Sequence, residues 1–191
     1  MSTRERILDA AADLLRTRGV AHATTKEIAQ ATGVSEPTLY KYFGDKEQLL
    51  LAVLRERLPG PARGAVRPGS GVVADNLTEL AHAALGFYRE SIPMLGALLA
   101  DPRRMAAHRT AMREHDAGPD KAVTAFAQYL RAEQELGRIA AGADPEAVAS
   151  LLVGACFHEA FLSYYAEGAA AGPASRATAL GLVTAVIEPL M

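Results

Sequence analysis

The chain has 191 residues, half of them hydrophobic and 22% of them charged, with a formal net charge of −2. This composition is typical of a globular protein and excludes one that binds nucleic acid through bulk positive charge alone. The single cysteine, Cys156, excludes an intrachain disulfide framework and favours a reducing compartment. We recognise neither a signal peptide nor an apolar run of membrane-spanning length, and therefore expect a cytoplasmic protein with no membrane contact.

Two capping boxes mark the starts of the first two predicted helices. Ser2 and Glu5 form the first, and Thr24 or Thr25 caps the second helix, with Glu27 three residues after Thr24. Apolar residues recur along the first helix at three- and four-residue spacing, as expected for one buried side: Ile7, Leu8, Ala11, Leu14 and Leu15.

A turn and a further helix follow immediately. Gly33 suits the left-handed backbone conformation that ends a helix, and Ser35 caps the next helix, which has Pro37 in its first turn. Two helices joined by a short glycine-containing turn predict a helix-turn-helix, whose second helix enters the DNA major groove.

The remaining chain also carries helical patterns. A fourth helix begins at about residue 46, and residues 59–71, with three prolines and four glycines, predict a mobile connection. Further helices are predicted at about 73–90, from Pro93 to 99, and at 102–115, 119–136, 144–167 and 174–187. We therefore predict an all-α chain with a helix-turn-helix domain at 1–46, a connecting helix and linker at 47–71, and a helical domain at 72–191.

The stretch TTKEIAQATGVSEPTLYKYFGDKEQLL, residues 24–50, together with the helix before it, resembles the TetR family of ligand-responsive transcription factors. The resemblance covers about residues 4–54, and its most specific part is the run Tyr40-Lys41-Tyr42-Phe43 followed by Lys46 at a helix start. The rest of the chain resembles the family only in length and helical character. The resemblance implies a repressor, not an enzyme and without a cofactor, that binds double-stranded DNA at a palindromic operator as a homodimer. A small apolar or aromatic molecule in the C-terminal ligand-binding and dimerisation domain would release it, although activation instead of repression stays open.

Candidate DNA contacts cluster at the starts of three helices. Hydroxyls and cations suit phosphates, and the side chains of the recognition helix suit base edges. The candidate phosphate contacts are Thr25, Ser35, Tyr40, Tyr42 and Lys46, and the candidate base contacts are Glu36, Pro37, Thr38 and Lys41. Each has a structural alternative: Glu36 can favour the helix dipole, the tyrosines can pack, and Lys46 can be a solvated charge. Arg4 and Arg6 are candidates for the minor groove or simply exposed charges.

Aromatic residues and methionines in the second domain are candidates for the effector site. They are Phe87, Tyr88, Met94, Leu98, Met105, Met112, Phe126, Tyr129, Phe157, Phe161 and Tyr165, with His82, His108, His158 and Glu159 as possible polar contacts. Core packing is the alternative for each of them. The histidines do not share metal-ligand spacing in one helix, so we expect no metal site.

The last two helices repeat small and aliphatic residues on one side, which suits close helix packing in a two-fold dimer. The candidate interface is Leu151, Gly154, Ala155, His158, Ala177, Leu180, Gly181, Thr184 and Ile187. An ordinary intrachain core is the alternative. A helical interaction protein whose helix-turn-helix serves only packing is the alternative for the whole chain. Catalysis is less well supported, because Cys156 and His158 are two residues apart on one helix and do not face each other.

Overall fold

The computed structural model describes residues 1–18, 24–57, 66–168 and 172–187, and within these ranges it contains helices and no strand. The helices are α1 (Thr3–Arg18), α2 (Thr25–Thr32), α3 (Glu36–Phe43), α4 (Lys46–Glu56), α5 (Val73–Leu99), α6 (Pro102–Glu114), α7 (Asp120–Glu135), α8 (Pro145–Glu167) and α9 (Arg176–Ile187). The prediction of an all-α fold is confirmed.

The chain forms two compact units, and the first includes residues from both sides of the predicted linker. The first unit is Met1–Pro59 with Glu90–Gly118, and the second is Gly60–Arg89 with Pro119–Met191. The sequence-based division instead placed everything after residue 71 in the second domain. The difference has a packing cause: Leu50 of α4 is buried in one cluster with Met94 and Leu98, so this part of the chain joins the first unit.

Local capping sets the helix boundaries in the first unit. The Ser2 hydroxyl accepts from the Glu5 amide at 3.2 Å, while the Ser2 backbone nitrogen donates to the Glu5 carboxylate at 2.6 Å. Thr24 and Glu27 form the second reciprocal box, as predicted. Helices α1, α2, α3 and α4 all contribute to one buried cluster: Ile7, Leu8, Ala11, Ile28, Ala29, Leu39, Phe43, Leu49 and Val53.

Helix α5 corrects the prediction of a break before Pro93. The helix is continuous from Val73 to Leu99 with Pro93 inside it. A proline in a helix interior removes one backbone hydrogen bond. Met94 and Leu98, which follow it, are nevertheless buried against Leu50, and this burial offsets the loss.

The core of the second unit comes from α5, α7, α8 and α9. Phe126, Leu130 and Leu152 are among its fully buried side chains. The buried carboxylate of Glu133 accepts from the Gly69 backbone nitrogen at 3.3 Å and pairs with Arg138 at 3.3 Å. Gly69, Ser70 and Gly71 of the predicted mobile connection therefore make hydrogen bonds. Residues 59–65 lie outside the described ranges.

Helix α8 also corrects the expectation that no apolar run reaches membrane-spanning length. By length and composition it could cross a membrane, and it is the single helix within the described ranges that meets this test. One such helix is weak evidence for a membrane protein, because core helices of globular proteins meet the same test.

Candidate DNA-binding site

The turn between α2 and α3 has the geometry that the sequence predicts. Gly33 adopts φ 70° and ψ 21°, and its amide donates to the last turn of α2. The Ser35 hydroxyl accepts from the Thr38 amide at 3.3 Å and so caps α3. Leu39 and Phe43 are buried, so the opposite side of α3 faces solvent.

That outward side of α3 carries most of the predicted DNA contacts. Pro37 and Lys41 are exposed, and Tyr40 and Tyr42 retain 39% and 45% of their accessible surface. Ser35 is exposed at the start of the helix. Thr25, Glu36, Thr38 and Lys46 are half-buried. The surface therefore combines hydroxyls, phenols and one free lysine, all groups that suit phosphates and base edges.

A hydrogen-bond chain links the two helices of the motif. The Thr25 hydroxyl donates to a Glu36 carboxylate oxygen at 2.8 Å, and the Tyr40 hydroxyl donates to the Thr25 oxygen at 3.2 Å. The Ser35 and Thr38 hydroxyls lie 2.8 Å apart in a separate pair. Glu36 thus connects to the start of α2, a contact that the sequence analysis missed.

Lys46 lies at the start of α4, where Asp45 caps the helix by accepting from the Gln48 amide at 2.7 Å. Burial, and to a lesser extent the nearby Arg104 guanidinium, lowers the pKa of Lys46. A phosphate at this position would oppose this lowering of the pKa by supplying an opposite charge. Arg104 of α6 is a cation of this surface that sequence reasoning missed, because a residue so distant in the chain gives no local signal.

Arg4 and Arg6 both make contacts within the first unit. The Arg4 guanidinium binds both oxygens of Glu56, at 2.7 and 2.6 Å, and lies 5.2 Å from the Phe43 ring centroid. Arg6 donates to the Thr32 carbonyl at 2.5 Å. Both side chains therefore stabilise the packing of the motif instead of extending freely toward the minor groove.

The predicted effector residues fall into separate groups. Four of them lie in the first unit. Met94 and Leu98 are buried, with Met105 half-buried beside them, and Met112 is also half-buried. Within the second unit, Phe126 and Tyr129 are core residues. Phe87, Tyr88 and Phe157 form an edge-to-face series with centroids 5.4 Å apart at each step, and Phe161 and Tyr165 are exposed, with their centroids 6.2 Å apart.

The polar candidates are equally dispersed. His82 Nε2 lies 3.0 Å from the Ala174 carbonyl, His158 is exposed and Glu159 is half-buried. His108 lies in the first unit, where burial lowers its pKa more than Glu47 raises it. Among the described residues, no group of three or more His, Cys, Asp or Glu side chains could hold a metal ion.

Cys156 has no features of a nucleophile. Its side chain is fully buried, and burial raises the pKa of the thiol to about 12. His158, which the sequence places two residues away, is exposed. The two side chains do not share an environment in which imidazole could activate the sulfur.

The predicted dimer residues lie mainly on the surface of a single chain. Those exposed are Leu151, Gly154, His158, Ala177, Leu180, Gly181 and Thr184, and those half-buried are Ala155 and Ile187. A Cβ atom added at Gly154 or Gly181 would meet no heavy atom within 4 Å. This side of α8 and α9 is therefore open in one chain.

Residues 7–53 match the family described as bacterial regulatory proteins, tetR family. Over 85 residues the chain is 36% identical to the HTH-type transcriptional activator FasR of Mycolicibacterium smegmatis, covering 44% of this chain and 38% of that protein. Over 55 residues it is 42% identical to the tetracycline repressor protein class D of Escherichia coli, covering 29% of this chain and 25% of that protein. The matched segment is thus well under half of either curated relative.

The fold comparison covers far more of the chain. The structure of Salmonella enterica GusR aligns with a TM-score of 0.68 and 25% identity, covering 98% of this chain and 95% of that one. A TetR-family regulator from Mesorhizobium loti aligns with a TM-score of 0.69 and 22% identity, covering 97% and 95%. The sequence match thus identifies the helix-turn-helix at residues 7–53 as similar to the tetR family of bacterial regulatory proteins, and the chain as a whole shares the fold of these two structures.

Proposed function

We propose that this protein is a homodimeric transcription repressor that binds a palindromic operator and is released by a small apolar or aromatic effector. The observation that carries the proposal is the outward side of α3, where Tyr40, Lys41 and Tyr42 are exposed beside a hydroxyl-rich helix start. Groups of this kind suit a DNA groove, whose walls are phosphates and whose floor presents base edges.

In the proposed complex, α3 lies in the major groove. Lys41, which is exposed, binds guanine O6 and N7, while Pro37 or Thr38 contacts a thymine methyl group. Five residues bind phosphates: Thr25 at the start of α2, Ser35, Tyr40 and Tyr42 on or next to α3, and Lys46 at the start of α4.

The open side of α8 and α9 supports the proposed dimer. Leu151 keeps 67% of its surface exposed and Leu180 keeps 45%, while the glycines beside them leave room for another helix. Burying these side chains against a two-fold mate would remove apolar surface from water. A dimer also presents two α3 helices, which can read half-sites about 34–36 Å apart.

The effector site is proposed in the second unit around Phe87, Tyr88 and Phe157. Their edge-to-face series joins α5 to α8 and offers aromatic surface to an apolar or aromatic molecule. Such a ligand releases the operator only if it binds the DNA-incompetent arrangement more tightly than the DNA-bound one. The cytoplasm is the proposed location.

Selection of bound duplexes from a random DNA pool, with purified full-length protein at moderate salt, tests the proposal. We expect recovery of one palindrome with half-sites about one helical turn apart. Absence of any enriched sequence would contradict it and favour a helical interaction protein. Transcription in vitro from the recovered site then separates repression from activation, since the curated relatives described above include one of each kind.

A further inference from the structure

We propose that Arg104 of α6 binds a DNA phosphate together with Lys46 of α4, so that α6 forms part of the DNA-binding surface. This inference rests on the proposed operator binding. It adds a contact from outside residues 7–53, the segment that matches the tetR family. Both side chains belong to the first compact unit.

Hydrophobic packing brings the first turn of α6 to the first turn of α4. Leu50 of α4 lies in a buried cluster against which Met105 of α6 packs. Lys46 is the first residue of α4, four residues before Leu50, so the two share one side of that helix. Arg104 directly precedes Met105 in the first turn of α6. The contact between Leu50 and Met105 therefore places the two cations near each other.

Electrostatic effects also indicate that the two cations are neighbours. Burial is the main cause that lowers the pKa of the half-buried Lys46, and repulsion by the Arg104 guanidinium is the next. Glu47 and Glu27 raise this pKa, but less strongly. The first unit thus holds two like charges close together where one of them is partly removed from water. An anion bound between them would relieve the repulsion.

Arg104 keeps donors for such an anion. Its Nε lies 3.3 Å from the Asp101 carboxylate, which caps α6 by accepting from the amides of Arg103 and Arg104 at 3.0 and 3.3 Å. A guanidinium has five N–H donors, and the ion pair engages only the one on Nε. The side chain is exposed, so its two terminal nitrogens can donate in parallel to a phosphate.

The site lies next to the recognition helix. Gly44 and Asp45 alone separate the end of α3 from Lys46, and a helix in the major groove has phosphates on both sides. A phosphate at the start of α4 also meets the positive end of that helix dipole. The nearby carboxylates of Asp45 and Asp101 are already engaged in capping α4 and α6. Arg104 therefore supplies a second cation for the phosphate that Lys46 binds.

Three substitutions on and beside α6 test the assignment. Arg104→Ala removes the proposed contact, and Arg109→Ala removes the same charge from an exposed position five residues further along. Asp101→Asn removes the ion pair with Arg104 but keeps a residue type that caps helices well. Fluorescence anisotropy measures binding of the full-length protein to the selected operator and to a random duplex over a salt series. Circular dichroism checks that each variant is folded.

We expect Arg104→Ala to bind both duplexes about tenfold more weakly at low salt, because a charge-assisted hydrogen bond to phosphate is lost. The salt dependence should fall by about one unit per half-site, with unchanged preference at every base position. Adding Lys46→Ala should remove about one further unit. Arg109→Ala should keep the salt dependence of the wild type. Asp101→Asn should bind at least as tightly as the wild type, since it removes a negative charge near the phosphates.

Two results would overturn the assignment. Unchanged salt dependence in Arg104→Ala would show that Arg104 binds no phosphate. A loss of affinity in Asp101→Asn equal to that in Arg104→Ala would show that Arg104 acts by stabilising the start of α6. Failure of the wild type to prefer its operator over random DNA would instead contradict the proposed function, and the Arg104 comparison on the random duplex would still decide the phosphate contact.

Discussion

Helices α3 and α8 both expose aromatic side chains, but their surroundings differ. On α3, Tyr40 and Tyr42 lie beside an exposed lysine and the serine that caps the helix. On α8, Phe161 and Tyr165 are exposed on the same helix as Leu151 and Gly154. An aromatic ring among hydroxyls and cations suits a phosphate backbone, whereas one among aliphatic and small residues suits another protein surface. Exposure alone therefore does not identify a partner; the neighbouring side chains do.

The largest expected effect comes from placing a charge on the open side of α8. Leu151→Glu should prevent dimer formation, because a two-fold interface would bury two such carboxylates. Operator affinity should fall by about 10²-fold or more, since the linked second half-site is lost. Sedimentation and operator titration measure the two effects. Gln128→Glu, at an exposed position on α7, is the control and should change neither.

A matched pair of leucines sharpens the contrast between the two regions. Leu39 is fully buried within one chain, so Leu39→Ala should lower the free energy of unfolding by about 2–5 kcal/mol. Leu180 keeps 45% of its surface exposed in one chain. Leu180→Ala should therefore change the unfolding of isolated chains little and mainly weaken dimerisation. Urea unfolding at several protein concentrations distinguishes these outcomes, and a large concentration-independent loss for Leu180→Ala would place it in the intrachain core.

Two lysine substitutions distinguish a base contact from a phosphate contact on the proposed DNA-binding surface. Lys41→Ala should cost about 1–3 kcal/mol on the operator and relax preference at one base position. Lys46→Ala should weaken binding to all sequences alike and reduce the salt dependence by about one unit. Titration of operator and random duplexes at several salt concentrations measures both. Equal losses on operator and random DNA for Lys41→Ala would remove it from the base contacts.

The smallest effect concerns pH and lies in the first unit. Burial lowers the pKa of His108 below its ordinary value of 6.5, so the unfolded chain takes up a proton there before the folded chain does. The free energy of unfolding should therefore fall as the pH drops below about 6.5. His108→Gln should flatten this dependence in urea unfolding measured at several pH values. An unchanged slope would show that His108 does not contribute to it.

Features that depend on neighbouring residues could be predicted from the sequence. The two capping boxes, the turn at Gly33 and the cap at Ser35 each involve groups within a few residues, and the structure has all of them. The recurrence of small and aliphatic residues on one side of α8 and α9 was visible at helical spacing, and the dimer interface assigned to that side stays a prediction.

Features that depend on how helices pack could not be predicted. Thr25 and Glu36 are eleven residues apart, and their hydrogen bond exists only because α2 and α3 cross at the turn. Helix α5 continues through Pro93 because later residues bury against α4, which a local rule for proline does not include. The effector candidates show the same limit: aromatic and methionine positions recur in cores and in pockets alike, and the structure distributes them over several groups.

The most direct test of the account is the stoichiometry of the complex with the selected operator, measured by sedimentation at equilibrium. We predict that the free protein has twice the mass of one chain and that one duplex binds two chains through one palindrome. The same experiment with Leu151→Glu should give single chains. A wild-type protein that is monomeric, or that binds its site as one chain, would contradict the proposal that α8 and α9 join two DNA-binding units.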